Sequence, residues 1–78
     1  MKLARHARNN MRLYNISQSD VRAVIDSPDV TEKEGNKIVA IKSFSNRFSG
    51  YPLKVVYEII DEEIAVITAY PLKKKEWR

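Results

Sequence analysis

Apolar residues follow a helical period up to Pro28 and an extended one after it. At about 100° per residue, Leu3, Ala7, Met11 and Tyr14 share one stripe, while Arg5, Arg8 and Arg12 fall opposite. The spacing predicts a first helix from Leu3 to Tyr14, and Asn15 suits the left-handed position that ends a helix. Ser17 followed by Asp20 reads as an N-cap with an acid in the first turn, a weaker relative of the capping box. Val21, Val24 and Ile25 then give a short second helix, Gln18 to Asp26, which Ser27-Pro28 closes.

Beyond Pro28 the pattern predicts strands. Val30 to Glu34 reads as an edge strand ended by a Glu34-Gly35-Asn36 turn. Lys37 to Phe44 is a second run, and Ser45 to Pro52 is a loop carrying Arg47, Phe48 and Tyr51. Leu53 to Ile60 is rich in β-branched and aromatic residues. Asp61-Glu62-Glu63 is a polar turn, and Ile64 to Tyr70 is the last strand. The short turn requires these last two strands to pair antiparallel. The expectation is an α+β domain of order α–α–β–β–β–β, two short helices on a three- to four-stranded antiparallel sheet. By alternation, Ile64, Val66, Thr68 and Tyr70 should share one face of the last strand. Its centre and that of its partner are apolar on both faces, which calls for two covers. The helices supply one. A second protomer, a partner protein or a terminal segment would supply the other.

Size and composition narrow the classes. At 78 residues the chain is one domain, with a basic tail from 72 to 78. The absence of cysteine excludes disulfides and thiolate metal sites, and a single histidine excludes the usual histidine-rich zinc sites. Neither a metal nor a cofactor is expected. No apolar run approaches the ~18 residues of a membrane span, and no secretory h-region stands at the N-terminus. A cytoplasmic protein without a membrane partner is the expectation.

Charge changes the picture more. Fourteen basic against ten acidic residues leave +4, but the distribution is uneven. Lys2, Arg5, Arg8 and Arg12 precede the first acid, Asp20, and Lys73, Lys74, Lys75 and Arg78 close the chain. Acids gather in Asp26 to Glu34 and Glu58 to Glu63. A bipolar surface of this kind fits a phosphate-bearing partner at the basic ends or, equally, ordinary solvated termini.

Candidate chemistry centres on the first helix. His6 lies at the edge of the apolar stripe, in register with Asn10 and Leu13. The alternative for His6 is a boundary histidine packed at the core's edge. In the Ser45–Pro52 loop, Arg47, Phe48 and Tyr51 could bind RNA by charge and stacking, or fold back on the sheet.

The ordered set of His6-Ala7, Met11, Ile16-Ser17-x-x-Asp20-Val21, Ser27-Pro28-Asp29, Leu53-Lys54-Val55-Val56-Tyr57 and Val66-Ile67-Thr68-Ala69-Tyr70-Pro71 resembles the family designated domain of unknown function 4258. That resemblance implies the fold of the barnase, EndoU, colicin and RelE group of metal-independent ribonucleases, with toxin–antitoxin members. It implies His6 as general acid or base, with Thr68 and Tyr70 beside it, promoting attack of a 2′-OH to give a cyclic phosphate. Lys42, Arg47 and Lys54 would stabilise the phosphorane oxygens, and Tyr51 and Asn10 would add RNA contacts. The chain departs from the family pattern at Asn10 and Tyr14, where arginines are usual, and at Asn15, where glycine is.

Two functions follow as expectations. One is a toxin-like RNA endonuclease, or a degenerate RNA-binding relative, partnered by RNA and an antitoxin protein. The other is a non-catalytic binding or assembly module that forms a homodimer through the sheet. DNA binding through the helical pair is weaker, because the second helix exposes little basic surface.

Overall fold

The computed structural model describes residues 1–72. The basic tail after Leu72, Trp77 included, lies outside the described residues. The described chain folds as β1 (Lys2–Leu3), α1 (Arg5–Tyr14), α2 (Gln18–Asp26), β2 (Val30–Glu34), β3 (Lys37–Lys42), β4 (Leu53–Ile60) and β5 (Glu63–Pro71). A 3₁₀ turn at Phe48–Gly50 precedes β4. The α+β class is as expected; the sheet is not. It has five strands in the order β1-β5-β4-β3-β2, and β1 runs parallel to β5 while all other pairs are antiparallel. The expected three- to four-stranded antiparallel sheet lacks β1, because Lys2 and Leu3 carry no strand signal of their own. Leu3 belongs to that strand and not to the first helix, which starts at Arg5. Pairing with Ala65 and Val66 decides the local conformation.

The two helix boundaries between α1 and α2 follow local chemistry. Asn15 adopts φ 57°, ψ 47°, and the Ile16 N–H donates to the Met11 carbonyl at 2.8 Å, a Schellman closure. At α2 the capping box is complete. Asp20 N–H donates to Ser17 Oγ at 3.0 Å, and Ser17 N–H donates to Asp20 Oδ2 at 3.0 Å.

The helices cover one face of the sheet. Ala7, Met11, Ile16, Val21 and Val24 pack on Ala40, Leu53, Val55, Tyr57, Val66 and Ala69. On the opposite face Val39 and Ile41 pack with Leu72, Val56 and Tyr70. Leu72 is buried there, and its N–H donates to the Pro52 carbonyl at 2.7 Å. The chain therefore supplies part of the second cover itself.

One irregularity matters for the site. Tyr57 pairs with Val66 and Val56 with Thr68, so Ile67 is an extra residue in β5. The bulge breaks the alternation. Val66 and Ala69, three positions apart, both face the helices, which strict two-residue alternation would not allow. The bulge falls just after β5 ends its short pairing with β1.

Candidate functional site

The α1 helix lies along β5. A turn of helix rises about 5.4 Å and two strand residues about 6.6 Å, so positions four apart on α1 keep pace with positions two apart on β5. The contacts advance along both elements in the same direction, four residues on α1 against three on β5. Asn10 Nδ2 donates to Thr68 Oγ1 at 3.1 Å, and Tyr14, one turn on, borders a cavity with Pro71. Asn10 and Thr68 are both half-buried, and their bond joins helix and strand just beyond the bulge. His6 is one turn before Asn10. It is exposed and makes no hydrogen bond or ion pair among the described residues.

Tyr70 is set apart from that bond. It packs with the Val39–Ile41–Leu72 cluster, and the Lys54 ammonium lies 5.5 Å from its ring centroid. Lys54 and Tyr70 are paired across β4 and β5, which explains the contact. Thr68 and Tyr70 are thus tied to different neighbours, the first to Asn10 and the second to Lys54.

Two expected RNA contacts have other partners. Lys42 Nζ donates to the Ser27 carbonyl at 3.0 Å, where it closes the end of α2. Arg47 grips Asp20 with both terminal guanidinium nitrogens; Nη2 donates to Oδ2 at 2.7 Å. The same guanidinium lies 4.8 Å from the Phe48 ring centroid and 5.9 Å from that of Phe44. Phe44 and Phe48 meet edge to face at 5.5 Å. Arg47 therefore joins the loop before β4 to the start of α2.

Asp20 is the buried charge in this arrangement. Burial alone would raise its carboxyl pKa. The Arg47 hydrogen bonds, the Ser17 backbone and hydroxyl, and the guanidinium charge outweigh burial and hold it below the ordinary carboxylate value. A carboxyl depressed in the folded state makes the unfolded state the better proton binder, so stability rises with pH. The contribution is full above the unfolded value near 3.9 and is lost as pH falls through the lower folded value. Urea unfolding at pH 7, 4 and 3 should therefore show a progressive loss that Asp20→Asn largely removes. An unchanged acid profile in that variant would place the acid sensitivity elsewhere.

Sequence reasoning finds Tyr51 and Phe48 but not their setting. Tyr51, Phe48, Ser49, Tyr14 and Pro71 line a cavity of about 270 Å³ at the C-terminal end of α1. Nothing in the sequence links position 14 to positions 48–51, because only the tertiary fold brings the end of α1 against that loop.

The exposed outer face of α1 is the remaining feature. Arg5, Arg8 and Arg12 span about 10 Å at 1.5 Å per residue. All are exposed, and none is in a hydrogen bond or ion pair among the described residues. Lys2, beside them in sequence, contacts Glu63 at 3.9 Å. No group of three or more histidine, cysteine, aspartate or glutamate side chains is placed to hold a metal ion among the described residues. No helix there is long and apolar enough to cross a membrane.

The model of a family described as domain of unknown function (DUF4258) matches residues 3–71. No curated protein and no solved structure matches the chain.

Proposed function

The chain belongs to the DUF4258 family, and from that premise we propose that it is an RNA-binding protein, a toxin-like relative of metal-independent ribonucleases that holds RNA without cutting it. The supporting observation is the arginine row on the exposed outer face of α1: three cations with no acid to neutralise them among the described residues. Such a row suits successive phosphates of a nucleic-acid strand. An acidic antitoxin would cover the same row.

The same geometry favours binding over cleavage. Phosphoryl transfer needs cations aimed at the developing phosphorane and a proton-transfer group held in place. Lys42 and Arg47 are engaged by Ser27 and Asp20. Among the described residues no side chain orients the His6 ring, and Asn10, where the family usually has arginine, is bonded to Thr68. Leu72 on the far face also supports a chain that buries Val39 and Ile41 without a second copy.

Purified protein mixed with fluorescently labelled single-stranded RNA tests this reading by anisotropy and by gel analysis of the RNA. The expected result is salt-sensitive binding, intact RNA, and no change in affinity for His6→Ala beyond about twofold. RNA cut by the native protein and spared by His6→Ala would replace this reading with the endonuclease one. Absence of binding at low salt would remove both.

A further inference from the structure

The cavity at the end of α1 has features that a simple gap between loop and helix would lack. Its walls are aromatic: Tyr14 from α1, Phe48 and Tyr51 from the loop, with Pro71 of β5 as a further side. Ser49 adds a hydroxyl at the rim, and Tyr14 is 44% exposed, so the space opens to solvent.

The loop that forms these walls is held in an unusual backbone shape. Asn46, Phe48 and Ser49 have φ of 61°, 54° and 55°, and Gly50 follows at 83°. A left-handed phenylalanine is uncommon and costly. Such a conformation persists only where the surroundings fix it. Here the Arg47–Asp20 pair anchors the loop from one side and the Phe44–Phe48 contact from the other. The strain is tied to a specific outcome, a rigid aromatic wall facing Tyr14.

We propose that this cavity is a subsite for one unstacked nucleobase of a single-stranded RNA. The proposal rests on the RNA-binding reading and names what the site recognises besides phosphate. The volume is below the about 300–1,000 Å³ of sites for drug-sized ligands, which suits a single ring system and not a whole nucleotide with its neighbours. Aromatic walls stack any base face, and a tyrosine or serine hydroxyl can meet a base edge. Tyr14 is one turn beyond Asn10, and Arg12 stands in the same last turn of α1 but on the opposite side of the helix. A strand whose phosphates follow the arginine row would have to curve round the C-terminal end of α1 for one unstacked base to enter the cavity.

The test uses the full chain, isotope-labelled for amide shifts. Adenosine at millimolar concentration should shift the amides of Tyr14, Ser49 and Tyr51, while ribose 5-phosphate at the same concentration should not. A Tyr14→Ser/Tyr51→Ser variant, checked for folding by its amide spectrum, should lose these shifts. It should bind a six-adenosine RNA about 5- to 160-fold more weakly, the range expected for one lost stack, and bind inorganic polyphosphate as before. Lack of localised adenosine shifts overturns the subsite, and so do shifts that survive in the double variant. A variant that loses adenosine but keeps full RNA affinity assigns the cavity to free nucleotides and overturns the RNA subsite. Failure of the RNA reading looks different: native RNA affinity would then be indifferent to Arg5, Arg8 and Arg12 whatever adenosine does.

Discussion

Asp20→Ala should lower the melting temperature by about 10–20 °C. The substitution removes the N-cap partner of Ser17 and leaves the Arg47 guanidinium without its carboxylate. Loss of a cap costs about 1 kcal/mol. Breaking a fully buried ion pair costs about 3–5 kcal/mol, but the Arg47 side chain is 43% exposed, so water screens the pair and the cost falls to the lower end of that range or beneath it. A total of about 2–3 kcal/mol is a large share of the stability of a chain this short, and each kcal/mol moves the midpoint by about 4–8 °C at this size. Arg47→Met keeps the aliphatic stem over Phe44 and Phe48 but strands the buried carboxylate, and it should cost about as much. The double variant should lose less than the sum, because both changes remove one interaction. Thermal unfolding followed by circular dichroism measures all three. A drop of under 3 °C in Asp20→Ala, or strict additivity in the double variant, would show that the pair is incidental to stability.

The replacement of Arg5, Arg8 and Arg12 by glutamine should weaken single-stranded RNA binding by about 30- to 100-fold near 0.1 M salt. Each phosphate neutralised on a single strand contributes about −0.7 to the slope of log affinity against log salt. Removing three phosphate-binding cations should therefore flatten that slope by about 2, a change that anisotropy titrations at several salt concentrations resolve. All three side chains are exposed and unpaired among the described residues, so the fold should be unaffected. Glutamine also keeps helix propensity close to that of arginine. Lys33→Gln/Lys37→Gln removes two exposed cations from the β2–β3 hairpin and serves as the control. Its slope should stay within about 0.5 of native. Equal effects from the two variants would mean that net charge governs association, and the α1 row would lose its special standing.

Local patterns were legible where the physics is local. Ser17 and Asp20 read as a cap because the bonds they make span three residues, and the box is present. Asn15 read as a helix terminator and adopts the left-handed conformation. The β2–β3 and β4–β5 hairpins followed from strand periodicity and short turns. In the second of these turns Asp61 and Glu62 take φ of 52° and 66°, a two-residue connection where asparagine and glycine are the common choices. Strand pairing therefore sets that turn and not the reverse.

The site was legible as residue types but not as partners. Lys42 and Arg47 looked available for phosphate because sequence shows a cation and not the oxygen it faces. Ser27 lies 15 residues from Lys42, and Asp20 lies 27 from Arg47. The same limit separated Tyr14 from Tyr51, and it hid the bulge at Ile67, which has no compositional sign and exists only in the pairing of β5 with β4.

The order of charges and of apolar residues along the chain determined the helix pair, four of the five strands, the arginine row and the absence of cysteine chemistry, since each depends on composition or on spacing within a few residues. Tertiary structure alone decided the fifth strand, the bulge at Ile67, the Asp20–Arg47 lock and the aromatic cavity. Each of those needs two segments far apart in sequence to arrive together, and the free energy of that meeting belongs to the pair of surfaces and to neither segment separately.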